Sequence, residues 1–347
     1  MLEGITIVDF TRLLPGPLAT HILAQMGATV IKIESPKRMD YARQGLKPTD
    51  GVSTLFHQLN HNKDLRQIDY ETAAGHAELM DLLEGADAIM EQFRPGAMAA
   101  WGLDYASLKA RFPRLVYLSL TGYGQEGPMA RTAGHDLNYL AQTGLLSLLR
   151  DAEGRPVVPG FQLADIGGAY AAVMALQGAL LKQARTGQGS YLDVSLCDAV
   201  MPFLAIPYSL YSDGFDHRLF NLINGQRAVN YAVYICADGK WLAVGALELK
   251  FWNALCTALD KPDWQRKHQL ELVRHVFPTE EVEALFKSRP RSEWLEQLKG
   301  LEVCVSPVLE IEELESHPHH QARGNFEEFK TGGGKAMRTL GKPFKHD

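Results

Sequence analysis

Ile5-Thr6-Ile7-Val8-Asp9-Phe10, followed by Thr11-Arg12-Leu13-Leu14-Pro15-Gly16-Pro17 and by 18–33, decides the fold. The first six residues are a β-branched run that reads as a strand. Pro17 to Met26 reads as a helix, with Pro17 suited to a first turn and Gly27 to a stop. Thr29 to Ile33 is a second strand, so the unit is βαβ and its sheet parallel. The turn between strand and helix lacks the three glycines that let a backbone approach a dinucleotide pyrophosphate, so the unit is Rossmann-like without that fingerprint.

Outward from this unit the alternation continues through helices near Thr72–Leu83 and Asp104–Arg111 and strands at Ala88–Met90 and Leu115–Leu120. A long helix, Ile166 to Arg185, stops at Thr186-Gly187-Gln188-Gly189 and leads into a strand at Tyr191–Leu196. Beyond Asp198 the pattern loosens. Tyr231–Ala237 and Lys240–Gly245 flank Asp238-Gly239, a hairpin signal. Helices are expected near Leu249–Leu259, Thr279–Lys287 and Arg291–Leu298, with a strand at Cys304–Pro307 and with Trp241, Phe251 and Trp252 in the core. At 347 residues the chain exceeds what one core comfortably serves. The expected fold class is α/β: a Rossmann-like large domain over 1–198, to which 325–347 returns, a linker over 199–224, and a smaller α+β domain over 225–324.

A net charge of −6 gives no general attraction to nucleic acid or to an anionic membrane, so neither is an expected partner. The four cysteines are scattered, with no Cys-x-x-Cys pair, which favours a reducing compartment and indicates no zinc site. The start is strand-like rather than a signal peptide, and no apolar run spans a membrane without a charge or helix breaker. A cytoplasmic protein is expected. His317-Pro318-His319-His320 reads as a solvated loop rather than a metal tract.

Chemistry concentrates in Gly134-His135-Asp136 and Ala164-Asp165-Ile166-Gly167-Gly168. An imidazole and a carboxylate stand at two polar-to-apolar boundaries, each just before a helix. They are candidates for opposed proton-transfer groups, while a plain cap at Asp165 and a turn residue at His135 also satisfy the pattern. Asp136 reads either as shaping the site or as capping the helix expected from Leu137.

Further blocks give the chain a family resemblance over nearly its whole length. They are Val8 to Pro17, Phe93-Arg94-Pro95-Gly96, Leu120-Thr121-Gly122-Tyr123-Gly124-Gln125-Glu126-Gly127-Pro128, Gly134 to Tyr139, Ala164 to Gly168, Arg185 to Gly189, Ala237 to Lys240 and Gly245 to Trp252. In order and spacing these resemble the class III CoA-transferase superfamily of the CaiB/BaiF type, most closely its α-methylacyl-CoA racemase branch. The resemblance implies an interlocked homodimer and an acyl-CoA substrate, with no cofactor beyond the CoA the substrate carries. It implies His135 and Asp165 as the acid/base pair and Glu248 as the group that orients the histidine. It implies an α-carbon racemase or epimerase. The alternative it leaves open is CoA transfer through acyl and CoA adducts of Asp165, or CoA binding without either activity. His135 in Gly-His-Asp favours the racemase. Arg94 is the leading CoA phosphate contact, with Lys37, Arg38, Lys63 and Asp136 as further CoA-site candidates, since Ser35 and Ala100 stand where the family often has arginine. Backbone N–H groups at the start of the helix after Asp165 are expected to receive an enolate oxygen.

Overall fold

The computed structural model describes residues 1–45, 47–151, 153–215, 228–272 and 276–345. The chain divides into two compact units, one of Met1–Ser147, Val157–Phe203 and His319–Asp347, the other of Leu148–Pro156 and Leu204–Pro318.

The first unit is a sheet with helices threaded between its strands. In chain order these are β1 Thr6–Asp9, α1 Pro15–Gln25, β2 Thr29–Glu34, α2 Thr54–Asn60, β3 Asp64–Gln67, α3 Ala73–Leu83, β4 Ala88–Glu91, α4 Ala97–Ala100, α5 Tyr105–Leu108, β5 Val116–Thr121, α6 Asp136–Gln142, α7 Leu163–Thr186 and β6 Ser190–Ser195. The six strands run in the order β3-β2-β1-β4-β5-β6, and every pairing is parallel. This is the doubly wound order, which reverses between β1 and β4 and opens a crevice beyond the carboxyl ends of those two strands. β1, β4 and β5 are buried along nearly their whole length, as central parallel strands must be. The exposed edge strand β3 and the helix α2 lie in a polar stretch that shows neither period, and sequence patterning does not reveal them.

Helix α7 is 24 residues long and begins at Leu163, so Asp165 lies in its first turn and is not its cap. Its length and apolarity would suffice to cross a membrane. It serves as a core helix instead, burying Ala164, Gly168, Ala169, Ala172, Leu176 and Leu180 against its own unit. Its small residues let its own unit pack closely: a Cβ on Gly168 would fall 2.1 Å from Leu196 Cδ2. The opposite face leaves Tyr170, Met174 and Leu181 exposed.

Under the loop from β1 to α1 lies a buried charge network. Asp9, Lys32, Asp40 and Lys63 are removed from solvent, with ion pairs Lys32 Nζ–Asp40 Oδ2 at 3.0 Å and Lys63 Nζ–Asp9 Oδ2 at 3.2 Å. Lys63 Nζ also donates to the Pro17 carbonyl, Thr20 Oγ1 and Asn60 Oδ1. Burial raises the pKa of Asp9, but Lys63, Lys32 and the Thr11 and Thr20 hydroxyls outweigh it and leave the carboxyl below its ordinary value.

In the second unit the strands Tyr231–Ile235, Trp241–Gly245 and Val305–Pro307 form an antiparallel sheet around the expected hairpin. Its core holds Trp252, Trp264 and Trp294, with Trp252 Nε1 donating to the Trp264 carbonyl and Trp294 Nε1 to the Phe286 carbonyl. Trp241, expected in that core, is instead 40% exposed on an outward strand position. Ala205–Ser212, inside the expected linker, is helical, and 216–224 lie outside the described residues. The histidine tract is not a loop: Pro318–Arg323 is a helix, with His320 Nδ1 2.9 Å from Asn325 Nδ2.

Candidate active site

A cleft of about 240 Å³ lies beyond the carboxyl ends of β1, β4 and β5, where the strand order reverses. Leu13 comes from the loop after β1, Pro15 from the first turn of α1, Gln92 to Pro95 from the turn after β4, and Thr121 to Tyr123 from the end of β5. His135, Tyr139 and Asp165 complete the wall, so the two proton-transfer candidates, 30 residues apart in sequence, face one space together with Arg94.

His135 is the exposed N-cap of α6, and its backbone N–H donates to Asn138 Oδ1 at 3.1 Å. The Tyr139 hydroxyl donates to the carbonyl of the preceding Gly134 at 2.6 Å. That contact requires glycine twice, since a Cβ at Gly122 would lie 2.4 Å from the Tyr139 ring and one at Gly134 2.8 Å from it. Burial first and the Asp165 carboxylate second push the Tyr139 hydroxyl up to about 12, so it stays protonated and keeps this bond at ordinary pH.

Asp136 does not cap the helix expected from Leu137; of its two expected roles it takes the other, shaping the site. It is the first residue of α6, and its Oδ1 accepts the N–H groups of Ala164 at 2.7 Å and Asp165 at 3.0 Å, capping α7. With Ile166 donating to the Gln162 carbonyl, the N–H groups expected to hold an enolate oxygen are already engaged. The N–H groups of Asp136 and Leu137, at the start of α6 beside His135, make no hydrogen bond among the described residues.

The Asp165 carboxylate accepts no hydrogen bond among the described residues. Burial, and then the Asp136 carboxylate, push it up to about 7 despite its place in the first turn of a helix, where a negative charge is ordinarily favoured. An acid with that value exchanges its proton near neutrality, as a general acid/base must.

The other candidates separate. Arg94, exposed and with no ion pair among the described residues, lines the cleft. Lys63 is excluded as a phosphate contact, because its buried ammonium is spent on four internal partners. Lys37 pairs with Asp69 at 3.1 Å and Glu71 at 3.6 Å, and Arg38 pairs with Glu71 while its guanidinium carbon lies 4.8 Å over the Trp101 ring. Both remain outside the cleft lining. Glu248 belongs to the second unit, where it is exposed at the N-cap of the helix Leu249–Ala258. Sequence reading passes over Gln92, whose amide ties the two loops of the crevice by accepting from Gly16 N at 3.2 Å and donating to the Arg12 carbonyl at 2.7 Å. It also passes over Tyr139, whose place in the Gly-His-Asp-Leu-Asn-Tyr block was the available signal.

The profile of the family described as CoA-transferase family III matches residues 2–347. The chain belongs to CoA-transferase family III. It is 31% identical over 329 residues to human α-methylacyl-CoA racemase, covering 94% of this chain and 82% of that one. It is likewise 31% identical over 351 residues to the succinate–glutarate CoA-transferase of Agrobacterium fabrum, covering 93% of this chain and 84% of the relative. Among solved structures, a CaiB/BaiF family protein from Brucella suis superposes with a TM-score of 0.84 at 27% identity, covering 99% of this chain and 92% of its own. Rv3272 from Mycobacterium tuberculosis does so at 0.82 and 26%, covering 100% and 93%. Family III thus contains enzymes of both chemistries at about the same distance from this chain, and its α/β fold with a parallel six-stranded sheet is the one described above.

Proposed function

We propose that this family III protein is an acyl-CoA racemase or epimerase acting at the α-carbon of a 2-methylacyl-CoA or similar thioester. The reading is carried by one observation: His135 and Asp165 face the same cleft, and Asp165 holds its proton to about 7 with no hydrogen-bond partner among the described residues. One group removes the α-proton, and its electron pair passes into the thioester carbonyl to give an enolate. The other, protonated, returns a proton to the opposite face. The unengaged N–H groups at the start of α6 supply hydrogen bonds to the enolate oxygen, replacing those of α7. Arg94 contacts CoA phosphate, and Glu248 orients His135. The proposal includes no cofactor beyond the CoA of the substrate, a cytoplasmic setting, and a homodimer of interlocked copies. Exposed Tyr170, Met174, Met201 and Phe203 in the first unit favour a second copy as their cover.

A second reading keeps the same cleft. Ionised Asp165 attacks the thioester carbon and expels the CoA thiolate to form a mixed anhydride. The thiolate then attacks the aspartyl carbonyl, releasing the acid and leaving aspartyl-CoA, from which an incoming carboxylate takes the CoA by the reverse steps. A carboxylate with no hydrogen bond among the described residues suits a nucleophile as well as a base.

Incubation in heavy water with a 2-methylacyl-CoA, with a free carboxylate in a parallel tube, separates the two. Deuterium at the α-carbon with loss of optical purity is the expected result, abolished by His135→Ala while CoA binding survives. CoA passing to the free acid without α-exchange would establish the transferase instead.

A further inference from the structure

We propose that Arg12 is an oxyanion-binding residue at the margin of the cleft, and this rests on the acyl-CoA reading above. Arg12 lies in the loop between β1 and α1, where the sheet order reverses. Its main chain is held from three directions: Lys32 Nζ donates to the Thr11 carbonyl at 2.5 Å, Gln92 Nε2 to the Arg12 carbonyl at 2.7 Å, and Leu13 N to Asp40 Oδ1 at 2.9 Å. The loop is also forced into a costly shape, with Leu13 at φ 62°, a region leucine rarely enters and keeps only when its surroundings impose it. Such over-determination fixes where the Arg12 side chain departs.

The guanidinium carbon lies 5.1 Å from the centre of the Tyr41 ring and 5.2 Å from that of Phe93, which lines the cleft beside Leu13 and Arg94. Rings attract a guanidinium but leave its in-plane N–H donors unspent. The comparison with other stacked arginines of the same unit is decisive. Arg38 lies over Trp101 and pairs with Glu71, Arg43 lies over Phe56 and pairs with Glu34, and Arg111 lies over Phe112 and pairs with Glu84. Arg12 has the rings and, among the described residues, neither an ion pair nor a side-chain hydrogen bond. What the other three find in a glutamate, Arg12 takes from the substrate: an oxyanion with two oxygens that paired donors can meet. An acyl-CoA offers that chemistry in two places, the diphosphate of CoA and a carboxylate at the far end of a dicarboxylic acyl chain.

Calorimetric titration of the full-length protein with butyryl-CoA, glutaryl-CoA and S-butyryl-pantetheine, alongside Arg12→Met, tests this. Arg12→Met weakens at least one CoA thioester about ten-fold or more, the scale of a lost charge-assisted pair. Equal loss for both CoA thioesters, with the pantetheine thioester unaffected, identifies the diphosphate. Loss confined to glutaryl-CoA identifies the acyl carboxylate. Arg12→Lys, which keeps the charge without the fork, recovers part of the affinity. Unchanged affinity for all three ligands, with a lowered Tm, overturns the proposal and leaves Arg12 a brace between two rings. Should the wild-type protein bind none of the three, the acyl-CoA reading fails, and Arg12 is judged with pyrophosphate and glutarate alone. An arginine Nε–H NMR signal that either anion shifts, and that Arg12→Met removes, sustains the proposal; an unshifted signal ends it.

Discussion

Asp9 and Asp165 are both carboxylates withdrawn from water at the same edge of one sheet, and they are opposite in every other respect. Asp9 meets Lys63 and accepts from Thr11 N and Oγ1 and from Thr20 Oγ1, and its pKa falls. Asp165 meets another carboxylate and no donor among the described residues, and its pKa climbs to about 7. Burial is common to the pair, so partners decide the outcome: a saturated charge becomes part of the scaffold, and an unsaturated one stays available for chemistry.

The sharpest way to break this contrast is Asp165→Asn, which preserves shape and removes the titration. Turnover of an acyl-CoA substrate, whether exchange or transfer, should fall by roughly 10³-fold or more, since a base or nucleophile is lost outright. A variant within ten-fold of wild type would remove Asp165 from the chemistry.

On the other side of the comparison, Lys63→Met leaves Asp9 buried with one cation fewer. Breaking a buried pair from one end costs about 3–5 kcal/mol. Urea unfolding should show it, and a loss below about 1 kcal/mol would mean that Lys32 suffices for Asp9.

An effect that grows only gradually with pH also distinguishes the two carboxylates. The unfolded chain releases the Asp165 proton near 3.8, whereas the folded chain keeps it to about 7, so this group makes stability fall as pH rises between those values. Asp165→Asn should therefore gain on wild type across that window, by roughly 4 kcal/mol at pH 8. Asp9 has the opposite sign, its contribution being present above 3.8 and lost as pH falls through its lowered value. A flat difference between Asp165→Asn and wild type from pH 4 to 8 would contradict the raised value.

What the sequence discloses follows from the range of the forces involved. The βαβ opening, the central strands and the hairpin after Tyr231 are local patterns and are legible. The strand order depends on pairings such as Ile7 with Ala88, which no local pattern carries. His135 and Asp165 are recognisable because their motifs mark starts of helices, and Arg94 because its Arg-Pro-Gly block carries the family resemblance. Lys63 is misread for the reverse reason: in a polar stretch it resembles a surface cation, and the Asp9 that buries it stands 54 residues earlier. Asp136 is misplaced for a similar cause, because its partners, the N–H groups of α7, lie 28 and 29 residues ahead.

That same Asp136 has one more effect. Its peptide adjoins that of His135, and its carboxylate grips the peptide of Asp165, so one side chain joins the two groups that face the cleft. It works as the bar of a caliper: the gap between the jaws is set once, whatever lies beyond them. With the gap preset, the rest of the cleft wall can change without moving the two groups apart.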